Sequence, residues 1–143
     1  MNYRTKSVRM LTLALATLFL SVGTFAGNNT DNNKTTIKAR QAVEEAAPDD
    51  WYTFANSADR CIRKKVNLAE AKTWLQKSLD IKETPYNLAI MGDYYNLNNL
   101  PEKALEYYVK SLRVGLQEDI NYKDAVTHEK MMKVRKSLLK SSS

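Results

Sequence analysis

One amphipathic sequence segment, here called the repeated phrase, occurs twice in this chain at positions 33 residues apart. Residues 68–79 read LAEAKTWLQKSL, and residues 101–112 read PEKALEYYVKSL. In both phrases an alanine, Ala71 or Ala104, is followed four positions later by a large residue. A small residue lets two helices approach closely, and the large one fills the space beyond it. The repeat therefore predicts stacked helical hairpins. The aligned residues are Ala71 with Ala104, Trp74 with Tyr107, Leu75 with Tyr108, and Lys77-Ser78-Leu79 with Lys110-Ser111-Leu112.

Two helix-start signals precede these phrases. Asp49 or Asp50 can cap a helix whose apolar residues are spaced by three and four positions and which is predicted to end near Lys65. Thr84 followed by Pro85 is a cap with proline in the first turn. Each start opens a helix just ahead of one repeated phrase, so each phrase is expected to be the second helix of a hairpin.

Other local signals predict where the second helices begin and end. Asn67 with Glu70, and Asn99 with Glu102, match an Asn-x-x-Glu capping arrangement. Gly115 suits a left-handed residue that stops the helix.

The flanking segments are also predicted to be helical. A short helix over residues 36–47 places Ile37 and Val43 on one side and is stopped by Pro48. A last helix runs from about Asn121 to Lys140, with an apolar face and a basic, polar one. No segment has a convincing strand pattern, so the predicted fold class is all-α. The apolar face of the last helix consists of Ala125, Val126, Met131, Val134 and Leu138.

On these residues the chain resembles the tetratricopeptide repeat (TPR) family over residues 50–115. The family places a large residue, Leu-Gly and Tyr in the first helix, and Ala-x-x-x-Phe in the second. The second copy has the matching residues Leu88, Met91-Gly92, Tyr95, Ala104 and Tyr108, and the first has Ala55, Ala58-Asp59, Ile62, Ala71 and Leu75. The ending YYVKSLRVG is equally similar to Sel-one-like repeats.

The resemblance implies a short right-handed α-solenoid of antiparallel helix pairs with a C-terminal capping helix. About two TPR-like repeats would cover residues 51–83 and 84–116, and the cap would cover 117–140, within a helical domain over 50–143.

Residues 1–26 are interpreted as a secretory signal peptide. Arg4, Lys6 and Arg9 precede an apolar run, and cleavage is expected after Ala26; the alternative is a segment that is retained as a membrane anchor. A flexible polar tail with the short helix then covers 27–49. The protein is expected to be exported to the periplasm or outside the cell, with a bacterial cell envelope as the expected location. Without the leader the net charge falls from +6 to +3, which with export disfavours nucleic acid as a partner.

The residue inventory does not favour an enzyme or a cofactor. Cys61 is the only cysteine, so no internal disulfide is available, and a small buried side chain is its expected role. His128 is the only histidine, which argues against a histidine-rich metal site or a catalytic base with partners. The adjacent acidic pairs in the sequence suit helix caps and solvated faces better than general acid–base chemistry.

The resemblance also implies a concave face lined by the first helix of each hairpin. There Asn and Arg side chains would hold a peptide carboxylate; the alternative is that Arg60, Arg63 and Lys64 form a solvated face near the C-terminal end of their helix. The expected groove residues are Asn56, Arg60, Arg63, Lys64, Tyr86, Asp93 and Asn96.

The resulting function is a non-enzymatic module that binds a peptide or partner protein through this face. The alternative is a structural, homo-oligomeric protein whose last helix forms a homodimer interface. A third alternative is attachment of the basic last helix to an anionic membrane surface.

Overall fold

The computed structural model describes residues 34–141, which form six α-helices and no β-strand. The all-α class is therefore confirmed for this part of the chain. The signal peptide predicted for 1–26, and the start of the polar tail, lie outside the described residues. The helices are α1 (Lys34–Glu45), α2 (Trp51–Lys64), α3 (Leu68–Ile81), α4 (Pro85–Leu97), α5 (Pro101–Glu118) and α6 (Ala125–Ser141).

The main interfaces join helices that are neighbours in the chain. α2 packs on α3, α4 packs on α5, and α1 and α6 pack on α2 and α5 respectively. α4 also contacts both α2 and α3, which joins the two pairs. The packed helices thus include α1, whose Ala39 is fully buried in the same core as α2, α3 and α4.

The repeated alanines are buried as expected. Ala71 and Ala104 both have no exposed surface, and neither do the large residues Leu75 and Tyr108 four positions later. Each alanine therefore lies where a neighbouring helix approaches closely, as the repeated phrase predicts.

The two phrases also share a hydrogen bond. The Ser78 hydroxyl of α3 donates to the Trp51 carbonyl at 2.7 Å, and the Ser111 hydroxyl of α5 donates to the Pro85 carbonyl at 2.7 Å. Trp51 and Pro85 are the first residues of α2 and α4. In each pair, an aligned serine of the second helix therefore forms a hydrogen bond with the first residue of the first helix.

The starts of α2 and α4 confirm the capping signals. The Asp50 carboxylate accepts a hydrogen bond from the Thr53 backbone N–H at 3.0 Å. At α4, the Thr84 hydroxyl accepts from the Asn87 N–H, and the Asn87 side chain accepts from the Thr84 N–H. Both caps satisfy backbone donors that the first helical turn leaves open.

The Asn-x-x-Glu caps were wrong. Asn67 has a left-handed φ of 49° and makes no side-chain cap; its amide instead donates to Glu70 at 2.9 Å. At α5 the N-cap position is occupied by Leu100, which makes no side-chain hydrogen bond, while Asn99 is left-handed with φ 56°. Asparagine tolerates this conformation, so both residues close the turn between helices.

The expected stop at Gly115 was also wrong. α5 continues to Glu118, and Gly115 is buried within it. A Cβ at this position would lie 2.3 Å from the Tyr122 ring, so packing explains the glycine. α6 begins at Ala125, later than expected, because the Asp124 carboxylate caps it by accepting from the Thr127 N–H at 2.9 Å.

Some expected core positions lie at the surface. Ile37 is 51% exposed and Val126 is 63% exposed, whereas Thr36 and Ala39 are buried in α1. The terminal helices each pack mainly on one neighbour, so only part of the surface of each helix is covered.

Candidate functional site

The strongest candidate site is a cationic pocket between α1 and α2, with a volume of about 220 Å³. Three of its residues belong to the expected groove, and α1 supplies the others. The lining residues are Thr35, Lys38, Arg60, Arg63 and Lys64.

The last turns of α2 account for three of the cations. Arg60, Arg63 and Lys64 are three and four positions apart, so their side chains share one face of the helix. All three are exposed. Positive charge near a helix C-terminus is also favourable, so the helix tolerates this concentration of charge.

One of these cations is oriented by a buried acid. Arg63 Nε donates to the Asp59 carboxylate at 3.0 Å. The Asp59 side chain is 9% exposed, whereas that of Arg63 is 74% exposed. The hydrogen bond and charge of Asp59 raise the pKa of Arg63. The bond holds the planar guanidinium in one orientation, which suits bidentate recognition of a carboxylate.

Two tyrosines lie beside these charges. The rings of Tyr52 and Tyr86 are stacked, with centroids 5.6 Å apart and planes at 27°. Burial, helped by Asp59, raises the pKa of Tyr86 to about 12, while Arg63 and Arg60 act in the opposite direction. The Tyr86 phenol is therefore protonated at neutral pH, and it lies within electrostatic range of both arginines.

Asp93 has a different environment from the other groove residues. One of its carboxylate oxygens accepts from the Tyr108 hydroxyl at 2.8 Å, and the other accepts from Lys130 Nζ at 2.7 Å. It lies close enough to Arg63 to raise the pKa of that guanidinium. Its position between α4, α5 and α6 makes it a link between helices.

The two groove asparagines do not line the cationic pocket. Asn56 is half-buried one turn before Arg60 on α2, and Asn96 is exposed in the last turn of α4. The structure therefore brings Arg60, Arg63, Lys64 and Tyr86 into one region and leaves the two asparagines outside the pocket.

Lys38, Thr35 and Tyr52 were not among the predicted site residues. The basic residues of the first helix were visible in the sequence, but nothing local indicates that α1 packs on α2. Their contribution depends on that tertiary contact.

The described residues give little support for a metal site, a reactive side chain or a membrane span. Within 34–141 no three His, Cys, Asp or Glu side chains are grouped to hold a metal ion. Cys61 is free and fully buried, and burial raises the pKa of its thiol, which disfavours the reactive thiolate. His128 is exposed. Within the same range, no helix combines the length and apolar character that a membrane span requires.

Comparison with known proteins gives no relative: no protein-family model, curated protein or solved structure matches this chain.

Proposed function

We propose that this chain is a non-enzymatic protein-interaction module that binds an acidic peptide segment of a partner protein. The observation that carries the proposal is the cationic pocket, in which Lys38 of α1 joins Arg60, Arg63 and Lys64 of α2. The neighbouring Tyr52–Tyr86 pair adds an aromatic surface.

The cationic side chains around the pocket favour an anionic group such as a peptide carboxylate. Ligand pockets for drug-sized molecules usually enclose ~300–1,000 Å³, and this one measures about 220 Å³. Such a space suits one acidic side chain or a chain terminus. Arg63 is already oriented by Asp59, so less side-chain entropy is lost when it binds an anion.

We further infer that α2–α3 and α4–α5 are TPR-like repeats in a short right-handed solenoid, capped by α6. The aligned serine hydrogen bonds and buried alanines support the repeat. The contacts of α4 with α2 and α3 support stacking of one pair on the next. Tyr52, Arg60 and Arg63 on α2, with Tyr86 on α4, would then belong to one groove.

The proposed place of action is outside the cytoplasm, in the cell envelope or the medium. The support is the order of basic, apolar and small residues over 1–26. Intact mass of the protein recovered from its own cells tests this part, because cleavage after Ala26 gives a chain that starts at Gly27.

Fluorescence anisotropy with a labelled peptide that ends in several Asp and Glu residues tests the binding proposal. The double variant Arg60→Gln with Lys64→Gln should weaken binding about tenfold or more, because desolvated charge contacts contribute several kcal/mol. These positions are preferred to Arg63, whose removal would leave the buried Asp59 carboxylate unpaired.

The matched control is Arg113→Gln with Lys123→Gln, which removes the same charge from exposed positions outside the pocket. The control should bind like the unmodified protein, and binding should weaken with added salt. Equal affinity for a peptide with Gln in place of every acid, or equal loss in both double variants, would refute the proposal.

A further inference from the structure

The second surface of interest is the outward face of α6. Val134 is buried toward the core, whereas Met132 is 44% exposed and Leu139 is 63% exposed. Residues 132 and 139 are about two helical turns apart and so lie on one side of the helix. They form the apolar part of an open groove of about 380 Å³, here called the α6 groove. Its lining residues are Glu129, Met132, Lys133, Arg135, Lys136 and Leu139.

The net positive charge of the described residues lies on the same helix. α6 carries five basic residues and one acidic residue, whereas residues 34–124 carry fourteen of each. Lys130 is paired with Asp93 on the inner side, and Lys133 is paired with Glu129. Arg135 and Lys136 border the apolar pair directly. The net positive charge of residues 34–141 is therefore carried by α6, and Arg135 and Lys136 place part of it beside the α6 groove.

We propose that the α6 groove docks one amphipathic helix of a partner protein, with acidic residues beside its apolar seam. Met132 and Leu139 are seven positions apart, which matches the repeat of one position of a helix–helix seam, and flanking charges select the partner. The opposite charge of the partner follows from the cations that border the groove.

Other occupants fit these observations less well. A helix that lies in a membrane surface presents a broad apolar face, and here Lys136 interrupts the stripe between Met132 and Leu139. A second copy of the chain would bring two helices with the same cationic excess together, which is unfavourable. The α6 groove shares no residue with the cationic pocket, so the two surfaces are independent.

The probe is a fluorescein-labelled synthetic helix of about three heptads, with Leu at the seam and Glu at the flanking positions. The protein should bind this Glu peptide and should bind a Gln version much more weakly. Arg135→Glu with Lys136→Glu should reduce affinity about tenfold or more. It should not change the melting temperature, because both side chains are exposed.

The most discriminating experiment exchanges the charges of the protein and the peptide. A peptide with Lys at the flanking positions should bind the Arg135→Glu, Lys136→Glu variant better than it binds the unmodified protein. Met132→Asp should weaken both matched pairings. To exclude binding at the cationic pocket, the Glu peptide is also tested on the Arg60→Gln, Lys64→Gln variant, which should keep the part of the binding that Arg135→Glu with Lys136→Glu removes.

Several results would overturn the proposal. Equal binding of the Glu and Gln peptides would remove the charge argument. Flotation with vesicles of phosphatidylglycerol and phosphatidylcholine, combined with no binding of the Glu peptide, would indicate a membrane surface. A dimer in sedimentation that Met132→Asp dissociates would indicate a second copy of the chain.

Discussion

Tyr108 of α5 donates its phenol hydrogen bond to Asp93 of α4 at 2.8 Å, although its side chain is otherwise fully buried. Asp93 also accepts from Lys130 of α6 at 2.7 Å. One carboxylate therefore joins three helices, including the helix that carries the second docking surface. The ring of Tyr108 reaches this position across Gly92, the residue just before Asp93.

Gly92→Ala should destabilise the protein. An added Cβ would lie 2.5 Å from two carbons of the Tyr108 ring, which is fully buried and has no free space to enter. Alanine gains about 1 kcal/mol in helix propensity, but overpacking a core costs ~1–3 kcal/mol. We expect lower stability in urea denaturation. Tyr108→Leu in the same chain should remove part of the added cost, since residues in contact are not additive; strict additivity would contradict the proposed clash.

Stability should fall at alkaline pH, and the buried tyrosines should account for part of the fall. Burial and the Asp93 interaction raise the pKa of Tyr108, and burial raises that of Tyr86 to about 12. The folded state thus holds these protons more strongly than the unfolded state, in which tyrosine titrates near ~10. Their stabilisation is present below about pH 10 and is lost as the pH rises toward the folded pKa values.

The measurement is the free energy of unfolding from pH 8 to pH 11 for the unmodified protein, Tyr86→Phe and Tyr108→Phe. Each variant should show a shallower decline than the unmodified protein. Tyr108→Phe should also lose ~1.5–3 kcal/mol at pH 8, because the lost hydrogen bond is made to a charged group. If the free energy of unfolding fell equally steeply with pH in all three proteins, the tyrosines would not contribute to the alkaline loss of stability.

The aligned serines should differ in their contribution to stability. Ser111→Ala removes one hydrogen bond to the Pro85 carbonyl, which costs ~1 kcal/mol. Ser78→Ala removes the equivalent bond to Trp51 and also the acceptor for Asn87 Nδ2 at 2.9 Å. Asn87 is fully buried, so its unsatisfied N–H adds a desolvation cost of ~1–3 kcal/mol. Thermal or urea unfolding should rank Ser78→Ala as the more destabilised; the reverse order would contradict the network.

Arg40 and Glu70 should make a small, acid-sensitive contribution. Arg40 Nε and Nη2 each donate to Glu70 at 2.8 Å, and this interaction lowers the pKa of Glu70. Because the pKa of Glu70 is lower in the folded state than in the unfolded state, the ion pair stabilises the protein at pH values above the unfolded pKa. This stabilisation is lost as the pH falls through the folded pKa. Both side chains are about two-fifths exposed, so Glu70→Gln should cost about 1 kcal/mol or less at pH 7. The difference should shrink as the pH falls below the unfolded glutamate value of ~4.3 and should vanish once Glu70 is protonated in the folded state. A difference that persists after this protonation would show another cause.

The helix starts that depend on adjacent residues were predictable from the sequence. Asp50 and Thr84 cap through hydrogen bonds to residues three positions later. The buried faces of α2 and α3 also followed from local spacing, because each helix is covered by more than one neighbour.

The predictions that failed depended on distant contacts or on backbone conformation. Glu70 pairs with Arg40, 30 positions away, instead of completing a cap at Asn67. Gly115 provides room for the Tyr122 ring rather than a helix stop. Neither partner is indicated by the residues next to these positions.

The same distinction holds at the candidate site. Arg60, Arg63 and Lys64 share a helical face and were predicted together. Lys38 joins them only because α1 packs on α2. The role of Asp93 depended on Tyr108 and Lys130, which belong to two other helices.

The most direct test of the account is NMR mapping of the surface that an acidic peptide contacts. Backbone amide shifts of the isotope-labelled protein would be followed during titration with the peptide that ends in Asp and Glu. The account predicts that the largest changes cluster at Lys38, Arg60, Arg63 and Lys64, and that they vanish with the Gln peptide. Saturating binding whose changes fall elsewhere, or no binding at low salt, would contradict it.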